Sequence, residues 1–178
     1  MMWIFQSRMR KEYEMTKFKK LAASIMAAAA LATTAMGGIS VSASCDDTNI
    51  TDFTAPPSIA GNYNPLPISQ HGIRVKSTNS SIYVKINSST YNVSVQTWGL
   101  PDTSWYGGAN KTLNAAGSTT NGVTLSAGHR YRIKNTVNES GYPCAGLKMS
   151  SIDQYNSSTV YGAWSPDYSP EPGVILAG

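Results

Sequence analysis

The sequence predicts an all-β protein, a small antiparallel β-sandwich or a partly open barrel that follows a signal peptide. Three observations predict this fold class. Short runs of β-branched and aromatic residues alternate with polar residues, turn-forming residues separate these runs, and no amphipathic helix of useful length follows residue 43. We expect about seven strands in the part of the chain that folds.

Residues 1–43 have the features of an N-terminal extension and a secretory signal peptide. Three lysines within residues 17–20 precede an Ala-rich apolar run, and the small residues Val41 and Ala43 form a cleavage pattern. The alternative is a transmembrane anchor, but the apolar run is short and its Ala and Thr residues are only weakly hydrophobic. Met15 offers a second start after Met1. We therefore expect a secreted, extracellular protein with no stable membrane insertion after cleavage.

The expected mature chain has a balanced charge. The full sequence of 178 residues has 14 basic and 10 acidic side chains, a formal net charge of +4. Residues 1–43 hold six of the basic and two of the acidic residues, which leaves eight of each. Because nucleic-acid binding relies on excess positive charge, this balance argues against a nucleic-acid partner.

Three segments are expected after the cleavage site. Residues 44–70 contain four prolines and no clear periodicity, which indicates a Pro-rich leader. Residues 71–167 form the predicted β-domain, and residues 168–178 form a Pro-rich C-terminal tail. The alternating runs of the β-domain are 72–77, 81–86, 91–98, 123–125, 129–137, 145–152 and 160–164.

Alternation also predicts which side chains face the core. In the first two runs, the apolar residues are expected inside and the intervening residues Arg74, Lys76, Tyr83 and Lys85 outside. The run NGVTLSAGHRYRIKNTV predicts a hairpin whose turn is residues 126–128.

Two cysteines, Cys45 and Cys144, remain after the expected cleavage. In an oxidising exterior, a single pair predicts one disulfide between the mature N-terminus and a late loop. A lipid anchor on Cys45 is an alternative, although Ser42 occupies the position where a lipoprotein signal prefers Leu. A pair of free thiols is the third interpretation.

The sequence gives little support for catalysis or for a metal. Its two histidines, His71 and His129, are far apart, whereas a zinc site needs three or four ligands with recurrent spacing. A triad of either histidine with Asp102, Asp153 or Asp167 is conceivable, but no Gly-x-Ser-x-Gly elbow is present. We therefore expect no enzyme activity, no metal and no cofactor.

Two groups of side chains are candidate binding residues. Trp98, Trp105 and Tyr106 surround a Gly- and Pro-rich loop and could form a flat aromatic platform for sugar rings. The alternative places Trp98 in the core. A basic stripe of Arg130, Arg132 and Lys134 alternates along one strand and could meet anionic wall polymers or phospholipid headgroups, although such a face is commonly only solvated.

The closing segment GAWSPD predicts a structural corner. Trp164 is expected to be the last core residue of the final strand. Pro166 disfavours helical backbone at the preceding serine, so the chain must turn there. Asp167 is expected to cap its own turn through nearby backbone N–H groups. This interpretation requires no chemistry from the motif.

The motifs VTLSAGHRYRIKNTVNESGY, AGLKM and GAWSPD, within residues 97–167, resemble a family of small secreted proteins of Gram-positive bacteria. The family has no assigned function, and its members end in Gly-x-Trp-Ser-Pro-Asp. The resemblance implies export and a β-rich domain, and it supplies no catalytic residues. This chain departs from the pattern because YSPEPGVILAG follows the motif.

These observations together predict a secreted, non-enzymatic β-domain that binds at the cell surface or to wall polysaccharide. A cell-wall polymer or another carbohydrate is the expected partner. The alternative is a secreted antimicrobial, bacteriocin-like polypeptide, and a secreted hydrolase is the third hypothesis. The sequence indicates no oligomeric state.

Overall fold

The computed structural model describes residues 48–178. The expected signal peptide, its cleavage site and Cys45 lie outside the described residues. No helix in the described part is long and apolar enough to cross a membrane. Its strands are β1 (Thr48–Ala55), β2 (Asn64–Pro65), β3 (Ile73–Val75), β4 (Ile82–Ser89), β5 (Val93–Leu100), β6 (Ala109–Asn110), β7 (Val123–Leu125), β8 (His129–Ile133), β9 (Cys144–Ser151), β10 (Ser158–Ser165) and β11 (Ile175–Leu176). Short 3-10 helices occupy Ser58–Ala60 and Ile68–Gln70.

The strands form two sheets that share one core. The first sheet has the order β1-β10-β4-β8-β11, and the second has the order β2-β9-β5-β6, with β3 also paired to β9 and β7 to β5. Every pair is antiparallel except β11 with β8. One apolar cluster unites Ile86 and Trp164 of the first sheet with Val95 and Met149 of the second. The predicted all-β sandwich is confirmed.

The centre of the second sheet is the long pairing of β5 with β9, which creates an inner and an outer face. Val95 lies opposite Met149, and both are buried in the core. The alternate residues point to the outer face, where Gln96 lies opposite Lys148 and Trp98 opposite Gly146. Period-two alternation therefore places the core and the candidate site on opposite sides of the same two strands.

The segment predicted as a leader contains an edge strand, β1, so that prediction is wrong for residues 48–55. β1 pairs with β10 and buries Ile50 and Phe53 in the core. Its register shifts between these two residues, where Asp52 has a φ of 50°. A bulge adds one residue to the strand, and this addition breaks the alternation that would have revealed it.

The predicted hairpin of residues 123–137 is wrong. β7 pairs with β5 in the second sheet, whereas β8 pairs with β4 in the first. The turn at 126–128 therefore carries the chain from one sheet to the other. Val123 and Ile133 are both buried in the common core, so their alternation looks the same for a hairpin and for a corner between sheets.

Two side chains expected outside are buried. Lys76 is only 2% exposed, while Val75, expected inside, is 62% exposed. β3 ends at Val75, and the chain then turns Lys76 inward toward an acidic partner described below. Tyr83 is also buried, and its cross-strand neighbour Arg132 contacts the ring of Tyr168 in the C-terminal tail.

The predicted C-terminal tail includes a strand. β11 lies parallel to β8, and the Ala177 backbone N–H donates to the Arg132 carbonyl at 3.0 Å. Ala177 is buried. The last residues of the chain therefore cover the edge of the first sheet.

Candidate functional site

The closing motif is structural, but its aspartate acts differently from the prediction. Trp164 is fully buried, and the Arg74 guanidinium lies 6.0 Å from the centre of its ring. Pro166 is buried beside it. Asp167 was expected to cap its own turn. Its carboxylate instead binds the loop between β3 and β4, far away in sequence.

Five hydrogen bonds join the Asp167 carboxylate to that loop. The backbone N–H groups of Ser77 and Thr78 donate at 3.0 and 3.1 Å. The Thr78 and Ser80 hydroxyls donate at 2.6 and 3.3 Å. Lys76 Nζ donates at 3.1 Å. We call Asp167 with residues 76–80 the corner clamp.

The two charged groups of the corner clamp have pKa values that move in the same direction for different reasons. Burial lowers the pKa of Lys76 by more than the attraction of Asp167 raises it. Burial also acts to raise the pKa of Asp167, but the hydrogen bonds of Thr78 and Ser77 and the charge of Lys76 hold it below its usual value. The charged form of Asp167 is therefore well stabilised by its surroundings, whereas the charged form of Lys76 is favoured mainly by the Asp167 carboxylate.

The predicted basic stripe is occupied by contacts within the chain. Arg130 forms an ion pair with Glu171 at 3.1 Å and also donates to the Pro172 carbonyl. Arg132 lies 6.0 Å from the ring centre of Tyr168, and Lys134 donates to the Ala115 carbonyl at 2.7 Å. The C-terminal tail thus takes up two of the three cations. The sequence did not indicate these contacts, because nothing in its pattern showed whether the C-terminal tail packs on the domain.

The aromatic residues gather on the outer face of the second sheet, around a lysine that the sequence analysis did not single out. Lys148 Nζ lies 3.3 Å from the ring centre of Trp98 and 5.5 Å from that of Trp105. Such cation–π contacts are worth about 0.5–1 kcal/mol at exposed sites and more when desolvated. We call Trp98, Trp105, Tyr106 and Lys148 the aromatic–lysine face.

The Trp98 ring is held in place by a chain of hydrogen bonds. Its Nε1 donates to Gln96 Oε1 at 2.8 Å. Gln96 Nε2 in turn donates to the carbonyl and side-chain oxygens of Asn121 at 2.8 and 3.0 Å. Since Lys148 covers one face of the indole, that face of Trp98 cannot also stack on a sugar. The predicted aromatic platform can therefore use at most the other face of Trp98.

Trp105 is packed against the sheet because Gly146 leaves room for it. A Cβ atom added at Gly146 would lie 2.5 Å from Cη2 and 3.0 Å from Cζ3 of Trp105. The ring also packs on a small apolar cluster of Ile73, Leu100 and Cys144. The loop between β5 and β6 is therefore anchored at Trp105, and the residue that follows Trp105 faces solvent.

That next residue, Tyr106, is 89% exposed. Gly107 follows with a φ of 72°, a conformation that favours glycine and turns the chain sharply after Tyr106. At the start of the loop, Asp102 accepts a 2.7 Å hydrogen bond from the Ser104 backbone N–H. A fixed loop with an exposed aromatic tip is a common basis of ligand recognition.

Lys148 has different surroundings from Lys76 and Arg130. No carboxylate among residues 48–178 lies within ion-pair distance of its ammonium group, whereas Lys76 and Arg130 each have one. Burial alone lowers the pKa of Lys148. The sequence signal for this residue was its position in the run AGLKMS, but the pairing that brings it to Trp98 could not be read from alternation.

The residues considered for catalysis do not converge. His71 is exposed at the end of a 3-10 helix, and His129 is exposed at the start of β8. Asp102 and Asp153 cap their own loops, Asp153 through the N–H groups of residues 155 and 156. No group of three or more His, Cys, Asp or Glu residues within 48–178 is placed to hold a metal ion.

Cys144 is a free, buried cysteine at the start of β9. Burial raises the pKa of its thiol, and the charge of Asp102 adds to this. Since Cys45 lies outside the described residues, the disulfide between the two cysteines stays a prediction.

Comparison with known proteins places most of this chain in one family. The family described as protein of unknown function (DUF2712) matches residues 39–168. No curated protein and no solved structure matches the chain significantly. The matched region includes the aromatic–lysine face and the corner clamp, and it ends before β11.

Proposed function

On the premise that the chain belongs to the DUF2712 family of proteins of unknown function, we propose that it is a secreted, non-enzymatic module that binds cell-surface polysaccharide. Residues 1–43 direct export in this proposal. The aromatic–lysine face is the binding site. The single observation that carries the proposal is the exposed Tyr106 at the tip of a loop that Trp105 anchors to the sheet.

The chemistry of this face suits a sugar polymer. A pyranose ring has an apolar C–H face that packs on aromatic rings, and its hydroxyls need nearby amide and hydroxyl groups. Tyr106 offers an open aromatic ring, and Trp105 lies partly exposed beside it. The amides of Gln96 and Asn110 are bonded within the chain, so the ligand contacts proposed here come from the aromatic–lysine face itself.

The proposal favours this face over the basic stripe. Arg130 and Arg132 contact the C-terminal tail, so a ligand there would have to compete with Glu171 and Tyr168. Tyr106 has no such competitor at its exposed ring. Binding should therefore depend on the loop between β5 and β6.

The test is sedimentation of the purified protein with purified Gram-positive cell walls. The wild type should sediment with the walls, and Tyr106→Ala should weaken binding about tenfold, the loss typical of an aromatic hot spot. Tyr155→Ala is the matched control, because Tyr155 is also a strongly exposed tyrosine but follows the opposite end of β9. It should bind as the wild type does.

Two results would contradict the proposal. One is a wild-type protein that stays in the supernatant, and the other is equal retention of Tyr106→Ala and wild type. In the first case, inhibition of the growth of neighbouring bacteria tests the alternative function, an antimicrobial polypeptide.

A further inference from the structure

Lys148 is a cation whose known contacts are aromatic rings. It lies on β9 opposite Gln96, and its ammonium group contacts the ring of Trp98 and lies 5.5 Å from the ring centre of Trp105. An indole face attracts a cation, but it does not neutralise the charge or accept a strong hydrogen bond from all three N–H groups. The site therefore retains unused donor capacity and a full positive charge.

Two other cations in the described part of the chain have a carboxylate partner. Lys76 is paired with Asp167, and Arg130 with Glu171. Lys148 has no carboxylate within ion-pair distance in the described part of the chain, although it is half-buried. Partial burial removes some of the hydration of this ammonium group, and an anionic ligand would replace the lost interaction.

We infer that the aromatic–lysine face binds an anionic glycopolymer, with Lys148 holding a carboxylate or phosphate group and Tyr106 contacting the adjoining sugar or polyol. This inference rests on the proposed function and specifies its ligand class. Trp98 acts as a positioning residue, because its ring fixes the ammonium while Gln96 and Asn121 fix the ring.

The geometry of the face supports a ligand that carries both features at once. Lys148 and Trp98 lie on neighbouring strands of the sheet, and Trp105 connects them to the loop that carries Tyr106. A charged group and an apolar ring face on consecutive units of one polymer could reach these residues together. A neutral glucan would leave the ammonium unpaired, and a simple anion would leave Tyr106 without a contact.

The experiment is isothermal titration calorimetry of the full purified protein with three polymers. Polygalacturonate carries carboxylates, its methyl ester is the same polymer without charge, and poly(glycerol phosphate) carries phosphodiesters. At least one of the charged polymers should bind about ten times more tightly than the methyl ester. The tighter of the two identifies carboxylate or phosphate as the recognised group.

Variants assign the effect to one residue. Lys148→Met keeps the aliphatic length and removes the charge, and it should lose the tenfold preference for the charged polymer. Lys148→Arg keeps the charge and should stay within about threefold of the wild type. Lys134→Met is the matched control, since Lys134 is a half-buried lysine that donates to a backbone carbonyl instead. Thermal melting of each variant checks that it is folded.

The inference is overturned if the methyl ester binds as tightly as the charged polymers. It is equally overturned if Lys148→Met keeps the preference, or if Lys134→Met loses as much. Retention on cell walls through Tyr106 without any effect of Lys148→Met would leave the proposed function standing and remove only this inference. Binding to neither walls nor polymers would remove both.

Discussion

Replacing Asp167 with Ala tests the corner clamp. The side chain of Lys76 is 0% exposed, and its Nζ donates to the Ser80 and Pro166 carbonyls at 2.8 Å as well as to Asp167. Asp167→Ala removes the carboxylate paired with this buried ammonium, which then keeps two neutral carbonyls and the weaker attraction of Glu139.

The expected loss of unfolding free energy is about 3–5 kcal/mol, the usual penalty for leaving one member of a buried ion pair. The backbone N–H groups of Ser77 and Thr78 also lose their acceptor, but both residues are exposed, so water replaces it at little cost. A domain of ordinary stability would keep only a small margin after such a loss.

The double variant Lys76→Met, Asp167→Ala separates charge from geometry. Met has a similar length and no charge, so the double variant should be about 2 kcal/mol more stable than Asp167→Ala alone. Asp153→Ala is the matched control, because Asp153 also accepts backbone N–H groups but is paired with no buried cation. It should lose about 1 kcal/mol or less.

Urea unfolding followed by circular dichroism measures these differences through the transition midpoint and slope. The reasoning fails if Asp167→Ala costs no more than Asp153→Ala. It also fails if the double variant is less stable than Asp167→Ala, since the buried charge would then not be the source of the loss.

Three further predictions concern acid, the core and the cysteines. The folded-state pKa of Asp167 lies below its unfolded value, so its stabilisation should be complete above about pH 4 and should disappear as the pH falls through the folded pKa. Asp167→Asn should flatten that part of a plot of stability against pH. A curve unchanged by the substitution would contradict this prediction. Trp164→Ala should cost about 3–5 kcal/mol in urea unfolding, and an unchanged midpoint would place its ring outside the core. Protein recovered from the culture medium should begin at residue 44 and weigh two hydrogens less than the reduced chain if Cys45 and Cys144 are bonded, whereas a diacylglyceryl adduct would show a lipid anchor.

The sequence predicted the architecture better than the pairing. Alternation located the inner strands β4 and β5, because each contributes alternate side chains to the one core. It missed β1, where the bulge at Asp52 breaks the period, and it misread the turn at 126–128, which changes sheets. Both errors arise because the local pattern of residues does not indicate which strands pair with each other.

The same limit applies to the candidate site. Trp105 and Tyr106 were recognisable because aromatic residues in a Gly-rich loop are unusual and local. Lys148 was not, because its position over Trp98 depends on the register between β5 and β9. The ion pair of Lys76 with Asp167 is more distant still, and its members lie near opposite ends of the predicted β-domain.

The order of the first sheet has a consequence for how the chain acquires its structure. β10 lies between β1 and β4, so Thr48 finds its partner only when Trp164 is present. Contacts between residues so distant in sequence close large loops, and domains dominated by them fold in about milliseconds to seconds. The N-terminal strand of a growing chain must therefore wait, unpaired, until almost the whole domain has been made.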